Sequence, residues 1–392
     1  MKSYRIQSLD LLRGLVMVIM ALDHVRDYFH ADAFLYDPLD LSKTSVVLFF
    51  TRWITHFCAP TFVFLSGTSA FLVGARKGKK ELTKFLLTRG LWLIFLELVV
   101  FNFGWFFNLH FPLVPLIVIW AIGVGFIVLA AAIQLPYNAI LTIGLVLIFG
   151  HNAFDGFQVS GGGALAVLWS ILHQQSAFPI TEGHFLFVGY PLIPWVGVTM
   201  VGYCFGKLYM QDVDVAFRKK VLLYLGSSAI ILFIVLRLSN IYGDSNLWTT
   251  QPTAAYTFLS ILNVSKYPPS LLYLLVTLGP AILFLRFTEG LSDGSISKRI
   301  IVLGRVPMFY YLVHIYVIHI LAIGGAAFLG YNVSTMVFNT WITNSPELKG
   351  YGFNLGVTYL IWISLVLMLY PLCNWYNNYK IQHPEKVWLS YL

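Results

Sequence analysis

Hydrophobic stretches long enough to cross a bilayer recur along the whole chain. Ten of them run over about 9–29, 45–74, 85–108, 112–133, 135–151, 185–208, 220–240, 269–287, 300–328 and 355–374. Each reaches or approaches the roughly 20 residues that a spanning helix needs. Each is read as a helix, because a backbone in lipid satisfies its polar groups within its own segment. The pattern predicts an all-α, polytopic integral membrane protein of about ten transmembrane helices, forming one domain over residues 1–392 with a core over about 5–375. The connections are unequal. Alternate ones are short and basic, whereas 30–44, 152–184, 241–268 and 329–354 are longer and contain aromatic and acidic residues. Tyr36, Trp169, Trp248 and Trp341 among them suit a membrane-interface belt, the preferred reading, or a carbohydrate-binding vestibule.

Composition adds to this picture. Of 392 residues, 58% are hydrophobic and only 11% charged, which excludes a soluble domain. The net charge of +8 follows from topology. With the N-terminus in the cytoplasm, seventeen Lys and Arg residues fall in inside segments, from Lys2 and Arg5 to Lys380 and Lys386. Lys43, Lys266 and Lys349 alone fall outside. The positive-inside rule then places both termini in the cytoplasm, and no nucleic-acid partner is needed to explain the charge. The N-terminal apolar run is too long and too charged for a cleaved signal and reads as the first span. Cys58, Cys204 and Cys373 lie inside hydrophobic segments, which argues against a disulfide framework.

The first span, LDLLRGLVMVIMALDHVRDYF, carries Asp10, Arg13, Asp23, His24, Arg26 and Asp27. Ionisable groups inside a membrane are costly and mark functional sites by default. At about 100° per residue, Arg13 and His24 differ by roughly 20° in azimuth and lie about 16 Å apart along one stripe. Asp27 lies one turn beyond His24, on nearly the same stripe. The competing reading is that Arg13 and Arg26 snorkel to the two interfaces and the carboxylates neutralise them. Arg52 and His56, four residues apart, share a helical face in the second span. Glu97 in the third span needs a partner, for which Arg13, Arg52 and Arg305 are candidates. The ninth span carries Arg305, Tyr310, Tyr311, His314 and His319. His319 lies about 140° from His314, so His314 is the preferred site residue. Metal binding is not expected, because no HExxH or CxxC pattern is present. A Ser-His-Asp hydrolase lacks its GxSxG elbow.

The opening RIQSLDLLRGLVMVIMALDHVRDYF resembles the transmembrane acyltransferases related to heparan-alpha-glucosaminide N-acetyltransferase, particularly their bacterial members. Its Arg13 and His24, with ten residues between them, also match the R-x10-H pattern of membrane acyltransferase-3 proteins. Further matches are CAPTFVFLSGTSAFL at 58–72, YPLIPWVGVTMVGYCFG at 190–206, KYPPSLLYLLVTLGP at 266–280 and LGRVPMFYYLVHIYVIH at 303–319. The resemblance implies transfer of an acyl group, most commonly acetyl, from cytoplasmic acyl-CoA to a sugar or glycan amine or hydroxyl beyond the membrane. Acetyl-CoA is then a co-substrate, the setting is a multi-pass inner (cytoplasmic) membrane protein in the lipid bilayer, and a homodimer is compatible. His24 or His30 is then the catalytic histidine, with Asp27 to orient the imidazole and Asp23 beside it. His30 matches the position after the first span seen in human-type enzymes. His24 is favoured because it shares the face of Arg13. Arg13, Arg52, His56, His314, Tyr311 and Arg305 would line the substrate path, and Lys77 and Lys80 would meet the phosphates of CoA. A secondary transporter using the same groups for substrate or protons is the alternative, and a structural or receptor-like membrane protein is a third.

Overall fold

The computed structural model describes residues 6–290 and 294–391; Lys2 and Arg5 lie outside them. The first hydrophobic stretch is one unbroken helix, α1 (Gln7–Phe29). The second is broken: α2 (Val46–Trp53) starts at Ser45, whose hydroxyl accepts from the Leu48 N–H, and a 3-10 turn over 54–57 leads into α3 (Cys58–Lys77). The third holds α4 (Lys79–Phe95), a π-helical turn (Leu96–Phe101) and α5 (Asn102–Phe106). Strand β1 (Leu113–Leu116) precedes α6 (Val118–Ala132). Next come α7 (Tyr137–Gly150), α8 (Ala164–Leu172), β2 (Ser176–Thr181), β3 (His184–Val188) and α9 (Leu192–Phe205). The chain continues with α10 (Val215–Ser239), α11 (Ala254–Leu262), α12 (Leu271–Thr288) and α13 (Ser295–Arg305). It closes with α14 (Pro307–Phe328) and α15 (Leu355–Gln382).

Among the described residues, seven helical segments are long and apolar enough to cross a membrane: 46–77, 79–106, 137–154, 215–239, 271–288, 307–328 and 355–382. The other three expected spans are helical too, but α1 is heavily charged and α6 and α9 have 15 and 14 residues. The all-α expectation needs correction. The strands form one small sheet in the order β1-β3-β2, with β1 parallel and β2 antiparallel to β3. In register, Leu113 pairs with Phe185 and Phe178 with Leu186. β1 and β3 run directly into apolar helices, and a continuous apolar run does not reveal where strand gives way to helix.

α1 is the central element, packed against α3, α13, α14 and α15. Small residues make this closeness possible. An added Cβ at Gly304 would sit 1.9 Å from the Asp10 carbonyl oxygen, and one at Gly14 would sit 2.0 Å from that of Ile300. α1 and α15 are antiparallel: His30 pairs with Phe353, and the Trp362 indole donates to the Val18 carbonyl. The start of α1 and the end of α15 therefore share one face, here the terminal face. The sheet and the long connections cover the opposite, loop face.

Candidate active site

At its loop-face end α1 directs Asp23, His24, Arg26 and Asp27 into a cavity of about 920 Å³. Its lining includes Met20 on α1 and Phe62 on α3. Its walls come from the sheet, the 3-10 segment after α1 and the connection before α15. The lining is aromatic on one side: Trp105 and Trp341 lie 5.5 Å apart by ring centroids, joined by Phe187 and Tyr311. Tyr190 and Tyr267 line another part, with centroids 5.6 Å apart.

The charges on this wall are paired. Arg52 donates to Asp23 at 2.9 Å and to the Thr55 hydroxyl at 2.8 Å. Arg26 reaches Asp23 at 3.0 Å and also binds Asp27. Two guanidinium groups thus neutralise two carboxylates. Lys266 joins them on the lining, its ammonium 5.1 Å from the Tyr267 ring centroid.

The histidines have a definite order. His314 Nδ1 lies 2.7 Å from the Tyr311 carbonyl oxygen and 3.0 Å from that of Tyr310. Carbonyl oxygens only accept, so this nitrogen carries the hydrogen. In the neutral ring His314 Nε2 is then an acceptor, and the His24 nitrogen 2.7 Å away, Nδ1, is its donor. His24 Nε2 keeps its lone pair, on a ring that lines the cavity. Trp105 packs edge-on against that ring at 4.7 Å and Tyr311 at 6.0 Å. The sequence placed His314 near the site, but its pairing with His24 arises only where α1 and α14 cross.

Several expected placements change. Asp27 does not orient His24: its carboxylate is held by Arg26, and His314 orients the imidazole. Arg13 does not line the cavity. It binds Asp10 at 3.0 Å, the Ser69 hydroxyl at 3.0 Å and the Gly304 carbonyl at 3.2 Å, which ties α1 to α3 and α13. Arg305 lies on the same cluster, 3.5 Å from Asp10. Arg52 and His56 do not meet at one site: α2 gives way to a 3-10 turn after Trp53, and of the two only Arg52 lines the cavity. His56 is fully buried against Tyr273, 5.3 Å between centroids, and does not line the cavity. His30 is also off the cavity, bracketed by the Phe353 carbonyl at 3.2 Å and Asp32 at 3.5 Å. Burial holds its imidazole below the ordinary histidine value. Lys77 and Lys80 are exposed on the terminal face. Among the described residues, Glu97 is partnered by no arginine: its Oε2 accepts from the backbone N–H groups of Ile119 at 2.8 Å and Trp120 at 3.1 Å, at the start of α6. An acid at a helix N-terminus satisfies donors that have no partner within the helix.

Sequence reasoning missed Trp105, Tyr190, Lys266 and Tyr267 as lining residues. Lys266 and Tyr267 head the block KYPPSLLYLLVTLGP, the one signal that could have drawn attention to them.

The family described as heparan-alpha-glucosaminide N-acetyltransferase, catalytic, matches residues 5–239. The chain belongs to this family. The match covers more than half of the chain, from the start of α1 to the end of α10. It therefore includes Asp23, His24, Arg26, Asp27, Arg52 and the sheet, while Lys266, His314 and Trp341 lie beyond it. This is an acetyltransferase family, and with the apolar helices it makes the chain a membrane protein. No curated protein matches the chain.

Proposed function

We propose that the protein transfers an acetyl group from acetyl-CoA to an amine or hydroxyl of a sugar or glycan bound in the loop-face cavity, with His24 as the base. The observation that carries this reading is the bare Nε2 of His24, directed by His314 and placed on an aromatic cavity of about 920 Å³. In the reaction, His24 Nε2 takes the proton of the attacking amine or hydroxyl as its N or O bonds to the thioester carbonyl carbon. The tetrahedral intermediate collapses, the C–S bond breaks, and the imidazolium returns the proton to the sulfur of CoA. His314 accepts the Nδ1–H bond throughout and stabilises the charged ring. Asp23 and Asp27 neutralise Arg26 and Arg52, so the wall keeps one net positive charge, that of Lys266, which favours the developing oxyanion. The flat rings of Trp105 and Trp341 offer apolar faces to a pyranose.

The basic residues of the terminal face support a cytoplasmic position for it, with the loop face outside. In this arrangement the donor arrives from the terminal face, where Lys79, Lys80 and Lys84 surround a hollow with Gln134. The test is acetylation of amino sugars and glycans by purified protein with labelled acetyl-CoA. His24→Ala is expected to abolish product while thermal stabilisation by acetyl-CoA persists, and His30→Ala is expected to retain activity. Full activity in His24→Ala would overturn the assignment. Gradient-driven uptake of an unmodified sugar without CoA would replace it with transport.

A further inference from the structure

A second histidine cluster lies apart from the cavity, where α7 ends. His151 opens the 3-10 turn that follows α7, Asp155 comes directly after that turn, and His173 follows α8. One ligand atom from each of the three lies within 4.8 Å of the others. Both histidines are almost wholly buried, at 1% and 2% exposure. Among the described residues, neither ring nitrogen of His151 has a hydrogen-bond partner, nor has His173 Nδ1. A neutral imidazole has one nitrogen with a lone pair, so His151 is buried with an acceptor that no donor meets, which a bound cation would satisfy.

The surroundings fit a cation. His173 Nε2 faces Asp155 Oδ1 at 3.1 Å. The other carboxylate oxygen, Oδ2, accepts from the Asn152 amide at 2.8 Å, and Asn152 Oδ1 accepts from the Leu271 N–H at 2.9 Å. The carboxylate is thus oriented from behind, as metal-ligating carboxylates are. Trp169 and Phe154 pack against His173 at 5.4 and 6.3 Å.

We propose that His151, Asp155 and His173 form a divalent transition-metal site, of the kind that zinc occupies with two imidazoles and one carboxylate. A cation at about 2.0–2.2 Å from each ligand draws the three side chains together by rotation about their own bonds. Three protein ligands leave a fourth position for water. The site ties the end of α7 to the end of α8. Through Asn152 it also reaches the start of α12. Because Gln175, Ser176 and Ala177, two to four residues after His173, line the catalytic cavity, the metal steadies that wall. The sequence reading expected no metal because it sought contiguous motifs, whereas His173 stands 22 residues beyond His151.

The test uses tag-free full-length protein in detergent, stripped with a chelator and titrated with Zn²⁺, with bound metal measured by mass spectrometry after gel filtration. One zinc per chain is expected, with affinity at least about tenfold weaker in His173→Gln and Asp155→Asn. His184→Ala, a partly exposed histidine on the same face, is expected to bind normally. Where a variant does not fold, Co²⁺ bound to the unaltered protein reports the ligand set through X-ray absorption: imidazole and carboxylate without sulfur. Absence of stoichiometric zinc, equal binding by the ligand variants, loss of metal in His184→Ala, or sulfur in the cobalt site would each overturn the proposal.

Discussion

An imidazole acts as a base only through the nitrogen that lacks a proton, so the chemistry of His24 depends on what holds its other nitrogen. Two backbone carbonyls of α14 fix the tautomer of His314, and His314 fixes that of His24. Replacing His314 by Ala removes the acceptor but none of the groups proposed to touch substrate. The expected result is a fall in kcat of about 10²-fold with acetyl-CoA binding unchanged, measured by steady-state kinetics beside a thermal-shift titration. Equal kcat in His314→Ala would separate the two histidines functionally. Arg13 shows the opposite case: a residue that looked chemical in the sequence sits away from the cavity, held by three partners on three helices.

Helix contacts here depend on the absence of side chains as much as on their presence. At Gly304 the neighbouring atom is a backbone oxygen of α1, which cannot rotate away as a side chain can. Gly67 of α3 and Gly202 of α9 meet in the same way, each facing a backbone carbonyl of the other helix at 2.1 and 2.2 Å from an added Cβ. Gly304→Ala is therefore expected to cost at least the ~1–3 kcal/mol of overpacking, read as a lower unfolding midpoint in detergent. Gly150→Ala, with nothing within 4 Å, is the control and should leave it unchanged. The π-helical turn at Leu96–Phe101 holds Glu97 against the start of α6, so the one buried acid of the third span serves the join between two elements.

For the whole molecule, the two faces carry different chemistry. The terminal face holds the lysine-rich turn between α3 and α4. The loop face holds the sheet, the cavity and the histidine cluster. With the terminal face cytoplasmic, Lys80→Cys is expected to react with a membrane-impermeant maleimide only after permeabilisation, and Val333→Cys in intact cells. The native cysteines are all buried and give little background. Labelling of Lys80→Cys in intact cells would reverse the orientation and with it the proposed direction of transfer.

The sequence by itself determined that the chain is a membrane protein, the approximate place of its helical segments, its family and the cluster of ionisable residues on the first span. Each of these is local: a long apolar run, a charge inside it, a motif of fixed spacing. The tertiary structure alone decided which charges meet. Asp23 finds Arg52 across 29 residues and His24 finds His314 across 290, distances over which helical periodicity carries no information. It also decided where apolar runs become strands, because β1 is recognisable only once β3 lies beside it to satisfy its backbone. Azimuth on α1 put Arg13 and His24 on one stripe. The stripe nevertheless faces different neighbours at different depths, α3 and α13 near Arg13 and α14 near His24, so residues on one face of a helix ended in two separate environments.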